Sequence, residues 1–299
     1  MNPVATYVAA HHEQLRLERL GIPRRPCCVL VTPRFRRSRH VVALVLADGY
    51  PAPALVGKLP RRAADASGLM REAKNLQAVG RALSDDSVPS VLAFDPGPPH
   101  ALLLETGLAG APLSPAALRR KRHNAAEAVV AWLERLALAT AFTPVGDAWH
   151  ERLVREPLRS VAATTPGLHR LVKLTLERSA LLVDAGLPLV FEHGDLRHPN
   201  LLLGEGGRLR VLDWERARSD GLPGHDLFFF LAYAAEPDAF FGRRPWAWEL
   251  AERYAERVGF DSTLLRPLLA TSCARAVASG AASARHAVLW RRALEEGPA

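Results

Sequence analysis

His193-Gly194-Asp195-Leu196-Arg197-His198-Pro199-Asn200 is followed, across one short hairpin, by Leu212-Asp213-Trp214-Glu215. The hairpin reads from two apolar runs, Asn200 to Leu203 and Leu209 to Trp214, joined by the glycine turn Gly204-Glu205-Gly206-Gly207. Asp195, Asn200 and Asp213 thus fall at strand and loop ends, where three oxygen-bearing side chains can converge. Phosphoryl transfer needs such a set: one carboxylate to position and deprotonate a hydroxyl, and a carboxylate plus an amide oxygen for the hard cation Mg²⁺.

Before this stretch, Leu168 to Ala185 has a helical pattern and Leu189-Val190-Phe191 is a short apolar run; after it, Asp226 to Arg292 is helical by pattern. The first third is different. Cys28 to Thr32 and Val41 to Leu46 predict a hairpin around Arg34-Phe35-Arg36-Arg37-Ser38-Arg39, and a third strand, Ala54 to Leu59, carries Lys58. Ala63 to Leu83 predicts one helix, with Leu69, Ala73, Leu76 and Val79 on one face. Val91 to Phe94 and Ala101 to Glu105 complete five strands, parted by Asp95-Pro96-Gly97-Pro98-Pro99, which cannot continue a ladder. After the small-residue connector from Thr106 to Pro112, Val129, Leu133, Leu136 and Thr140 recur at helical spacing. The expectation is an α+β chain of two lobes, a small antiparallel sheet over residues 1–106 and a mostly helical lobe over 107–299.

The pattern H-G-D-x-x-x-x-N at His193, Gly194, Asp195 and Asn200 resembles the catalytic loop of the aminoglycoside phosphotransferase and choline kinase-like small-molecule kinases, distant relatives of protein kinases. The resemblance implies a protein kinase-like fold, with Asp195 as the catalytic aspartate and Asn200 and Asp213 as Mg²⁺ ligands. Asp213 stands where relatives carry the aspartate of their metal-binding D-F-G element, here Asp-Trp-Glu. Pro223-Gly224-His225-Asp226-Leu227 is similar to the family's P-x-x-D-L segment, whose aspartate braces the catalytic loop through backbone hydrogen bonds. Lys58 and Glu72 look like the ion pair that holds nucleotide phosphates, and Leu103-Leu104-Glu105-Thr106 looks like the hinge strand beside the adenine. Arg197 sits where many protein kinases carry a lysine near the transferred phosphate. The function implied is transfer of the γ-phosphoryl group of ATP, or GTP, to a hydroxyl of a small molecule; the alternatives are a non-catalytic nucleotide-binding pseudokinase and an aminoglycoside or other antibiotic kinase.

One departure stands out. Protein kinases cover the phosphates with a glycine-rich loop, whereas the tip of the first hairpin has no glycine and four arginines, Arg34, Arg36, Arg37 and Arg39. They either contact phosphate or form a solvated tip. Gly57-Lys58-Leu59 lacks the glycine spacing of a P-loop, and Gly204 to Gly207 opens a strand, so no dinucleotide fingerprint exists.

The 299 residues, 48% hydrophobic and 23% charged, exclude a disordered or fibrous chain. The formal charge of +8 favours anionic partners. Nucleic acid is set aside because no recognition helix or aromatic-interleaved basic strand appears. Only Lys58, Lys74, Lys121 and Lys173 are lysines among 39 cations, so an ammonium on the apolar third strand invites a partner. The run Arg119-Arg120-Lys121-Arg122-His123 reads as a solvated face, and Trp246 and Trp248 as packing residues. From Gly242 onward nine arginines face six acids, which favours a sugar, nucleoside or related metabolite over a polycationic aminoglycoside as acceptor. Cys27, Cys28 and Cys273 offer no paired framework. His11, His12, Glu13, Arg16, Glu18 and Arg19 occupy the place of a signal peptide's apolar core. The longest apolar run, Leu227 to Ala235, is far short of the roughly 20 residues of a membrane span. A cytoplasmic enzyme without a membrane span is expected.

Overall fold

The computed structural model describes residues 2–31, 39–50, 52–62, 66–97 and 101–295. Arg34, Arg36 and Arg37, and the side chains of Arg119, Lys121, Arg122 and His123, lie outside the described set. The five apolar runs of the first third each become a strand, shifted by one residue at one or both ends: β1 (Cys27–Val31), β2 (His40–Leu46), β3 (Leu55–Pro60), β4 (Val91–Asp95) and β5 (Leu102–Thr106). They form one antiparallel sheet in the order β1-β2-β3-β5-β4.

Register decides what each face carries. Gly57 pairs with Ala43 and Leu104, and Val56 with Glu105. Side chains alternate along a strand, so Ala43, Val45, Leu55, Leu59, Leu102 and Leu104 share the face of Gly57. All are buried with Val4 and Val8 of the Pro3–Ala10 helix. That helix approaches closely: a Cβ on Gly57 would stand 2.6 Å from Val4 Cγ1, a contact only glycine permits. The opposite face carries Val56, Lys58 and Glu105, and receives the Ala66–Leu83 helix, which buries Leu69, Glu72, Ala73, Leu76 and Val79. The sheet therefore has helices on both faces, where the sequence pattern predicts one. The Pro3–Ala10 helix is too short to show periodicity; its signal is local, an Asn2 side chain accepting from Val4 N at 3.0 Å and Pro3 in the first turn.

Contacts divide the chain into two compact units, Met1–Pro112 with Asn200–Arg216, and Leu113–Pro199 with Ala217–Ala299. The first unit runs past residue 106 and takes in a later segment for one reason. Ala111–Pro112 pairs with Leu201–Leu203, which pairs with Leu209–Val211, making a three-stranded sheet. Val211 N also donates to Ser87 O at 2.8 Å.

The second unit holds helices Pro115–Thr140, His169–Asp184, His225–Ala234, Trp246–Val258, Leu265–Ala278 and Ala284–Glu295, and a ladder of Val190–Glu192 with Arg218–Gly221 that packs against the first of them. A further helical run, Ala148–Thr164, contains a π segment at Glu151–Arg155. The apolar stretch at Leu227–Ala235 is core: nearly every residue of its helix is buried. Among the described residues no helix is long and apolar enough to cross a membrane.

Candidate active site

In the first unit the predicted lysine is held by two carboxylates. Lys58 Nζ lies 2.5 Å from Glu72 Oε1 and 3.0 Å from Glu105 Oε1, with all three side chains buried. Strand register explains the second contact: Glu105 opposes Val56, two residues from Lys58 on the same face. Glu105, read from the sequence as a hinge residue, thus also contacts the ammonium. The Ala66–Leu83 helix delivers Glu72 from above.

Burial alone would lower the pKa of Lys58, but Glu105, Glu72 and Asp213 outweigh it and raise it above the usual lysine value. Burial, with the charges of Glu72 and Asp213, pushes Glu105 up to about 7 although Lys58 opposes the shift. Among the described residues, Glu72 Oε2 and Glu105 Oε2 have no hydrogen-bond partner.

Asp213 follows the small hairpin in a left-handed conformation, φ 64°. Its neighbours are pinned on both sides. Leu212 N donates to Asn200 O at 2.8 Å, Trp214 N to Glu72 Oε1 at 3.2 Å, and Asn75 Nδ2 to Trp214 O at 2.9 Å. Asn200, itself buried, stands just beyond the hairpin's last pair, Leu201 with Val211. The sheet lysine, the helix glutamate and the Asp-Trp-Glu turn are therefore one connected group. Glu215 Oε2 lies 3.9 Å from His40 Nδ1, a contact no sequence spacing indicates.

In the second unit, Asp226 accepts from His193 N at 2.5 Å and Gly194 N at 2.9 Å, the brace the P-x-x-D-L resemblance implies. Burial and the charge of Glu192 push Asp226 up to about 7 against the pull of those two donors. Gly194 adopts φ 79°, a region glycine enters without strain, and Asp195 N donates to His193 Nδ1 at 3.2 Å. Arg197 Nε lies 2.9 Å from Asp195 Oδ1, and its guanidinium carbon sits 5.6 Å from the centre of the Phe229 ring. Trp248 packs against Phe228, Phe241 and Arg266.

The family model described as Phosphotransferase enzyme family matches residues 36–268. Three solved structures share the fold. Aminoglycoside phosphotransferase APH(3'')-Id from Streptomyces rimosus superimposes with a TM-score of 0.53 at 19% identity, over 92% of this chain and 99% of that one. Choline kinase LicA from Streptococcus pneumoniae gives 0.57 at 11% identity, over 95% and 98%. Macrolide 2'-phosphotransferase MphH from Brachybacterium faecium gives 0.54 at 20% identity, over 96% and 98%. No curated protein matches the chain in sequence. The structures establish a kinase-like, two-lobed α+β fold, and with the family model spanning most of its length, the chain belongs to the phosphotransferase enzyme family.

Proposed function

We propose that the protein transfers the γ-phosphoryl group of ATP or GTP to a hydroxyl group of a small molecule, with Mg²⁺. The observation that carries this reading is the Lys58 ammonium fixed between Glu72 and Glu105 in the same connected group as Asp213. A lysine so held is a pre-set positive charge for nucleotide phosphates. The structure of APH(3'')-Id with ADP and streptomycin supports a nucleotide as donor.

Asn200 and Asp213 suit Mg²⁺, which takes oxygen ligands and commonly only one or two protein carboxylates beside waters and phosphates. Around Lys58 the carboxylates of Glu72, Glu105 and Asp213 outnumber the single ammonium, so added positive charge is favoured there. When bound, the ion supplies charge neutralisation at the phosphates. Asp195 orients the acceptor hydroxyl and takes its proton, and Arg197 holds the Asp195 carboxylate and stabilises charge on the transferred group. A loose transition state leaves mainly positioning and electrostatics to these side chains.

The excess of nine arginines over six acids from Gly242 onward supports a sugar, nucleoside or related metabolite over a polycation as acceptor. The reading is tested by titrating MgATP and MgGTP into wild type and Lys58→Met, then screening a hexose, a nucleoside, choline and streptomycin for phosphate incorporation. Nucleotide affinity should fall at least about tenfold in Lys58→Met, since a charge-assisted contact is worth roughly 1.5–3 kcal/mol. Equal affinity in both proteins contradicts the reading.

A further inference from the structure

Glu192, the residue before His193, is buried and makes three charge-assisted contacts. Arg275 Nη2 donates to its Oε1 at 2.6 Å, Arg275 Nη1 to its Oε2 at 2.8 Å, and Leu222 N to Oε2 at 3.1 Å. The fork comes from the Leu265–Ala278 helix, and the Arg275 side chain is itself 12% exposed. Gly221 makes room for this arrangement: a Cβ there would lie 2.2 Å from Glu192 Cβ and 2.6 Å from Oε2. Burial alone would push the Glu192 carboxyl up, but Arg275 and His225 hold it down at about 2, so it stays ionised.

Two carboxylates then run in opposite directions between the same two segments. Glu192 reaches from the start of the loop to Leu222 N, and Asp226 reaches back from the next helix to His193 N and Gly194 N. Together they bracket the backbone that leads into Asp195. Asp226 holds the His193 and Gly194 amides, whereas Glu192 holds Leu222 N, and the planar fork of Arg275 fixes the Glu192 carboxylate in the rotamer that does so.

We propose that Arg275 is a positioning residue for Asp195: it locks Glu192, and Glu192 sets the backbone from which the Asp195 carboxylate projects. The inference rests on the phosphotransferase role given to Asp195 above. Arg275 reaches the loop through the Glu192 carboxylate, to which it donates twice, and its charge also acts on the bracing Asp226.

Three variants test this: Arg275→Lys, which keeps the charge and loses the fork; Arg275→Met; and Glu192→Gln with Arg275→Met, which leaves no unpaired buried charge and so protects folding. The first readout is amide hydrogen exchange of the 192–197 segment in the intact chain. Exchange there should quicken about tenfold or more in Arg275→Lys and in the double variant, with strands β2 and β3 unchanged. The second is hydrolysis of MgATP without acceptor. Its kcat should fall on the order of 10²-fold, the scale expected when a reacting group is displaced by about 1 Å, with KM for MgATP held within about threefold. A merely structural role would lower the melting temperature and quicken exchange throughout the second unit while leaving kcat intact, and that result overturns the proposal. Unchanged exchange at 192–197 in both Arg275→Lys and the double variant overturns it as well. Wild type without Asp195-dependent turnover would count against the functional reading instead, and the exchange readout would still decide the role of Arg275 in setting the loop.

Discussion

At the scale of single residues, two buried carboxylates share one ammonium, and the excess charge has a consequence in pH. A glutamate that titrates near 4.5 in the unfolded chain is pushed up to about 7 at Glu105 by burial and by Glu72. Between those values the folded protein keeps a proton the unfolded chain has released. This group's stabilisation is complete below about 4.5 and is lost as pH rises through 7. Glu105→Gln is neutral at every pH, so its stability relative to wild type should rise between pH 5 and 8, by on the order of 3 kcal/mol in full. Denaturant melts of both proteins across that range check it, and a difference that stays flat or runs the other way contradicts the assignment. Lys58 was legible in the sequence because lysine is rare in this chain and stands alone on an apolar strand. Its second partner was not, because Glu105 reaches it only through the register of β3 with β5.

At the scale of elements, local spacing carries far and then stops. The five strands, the helix bearing Glu72 and the loop bearing Asp195 all follow from alternation, helical periodicity and turn residues within a dozen positions of one another. The Pro3–Ala10 helix does not, because two buried valines make no period, and its place is set by a tertiary contact with Gly57. Gly57→Ala forces a methyl to within 2.6 Å of Val4 Cγ1 and should destabilise the protein by roughly 1–3 kcal/mol, the usual cost of overpacking. Val4→Ala added to Gly57→Ala removes the clashing methyls, so the double variant should lose less than the sum of the two single ones. Strict additivity in equilibrium unfolding would mean that helix and strand do not meet at this point. The pairing of Ala111–Pro112 with the later hairpin is equally unreadable from spacing, since about ninety residues separate the partners.

For the molecule as a whole, the positive charge is less of a recognition signal than the composition suggests. Arg253 pairs with Glu127, Arg275 with Glu192, Arg285 with Glu236 and Arg292 with Asp238, so these four arginines have acidic partners within the second unit. The residues proposed to carry the chemistry are divided between the two compact units, Lys58, Glu72, Glu105, Asn200 and Asp213 in one, Asp195 and Arg197 in the other. Motif order made that set readable, while the supports beneath it, Glu192 and Arg275, lie 83 positions apart and leave no pattern in the chain. The family and the fold make phosphoryl transfer the central claim, and Asp195 is where it is most exposed to refutation. The measurement is the initial rate of phosphoryl transfer from MgATP, to water and to the acceptor panel, by wild type and Asp195→Asn at matched nucleotide occupancy. Wild type should turn over, and Asp195→Asn should lose about 10²–10⁴-fold, the range of general-base catalysis, with MgATP affinity preserved. Equal rates in the two proteins, or nucleotide binding with no Asp195-dependent transfer to any acceptor, would contradict the account.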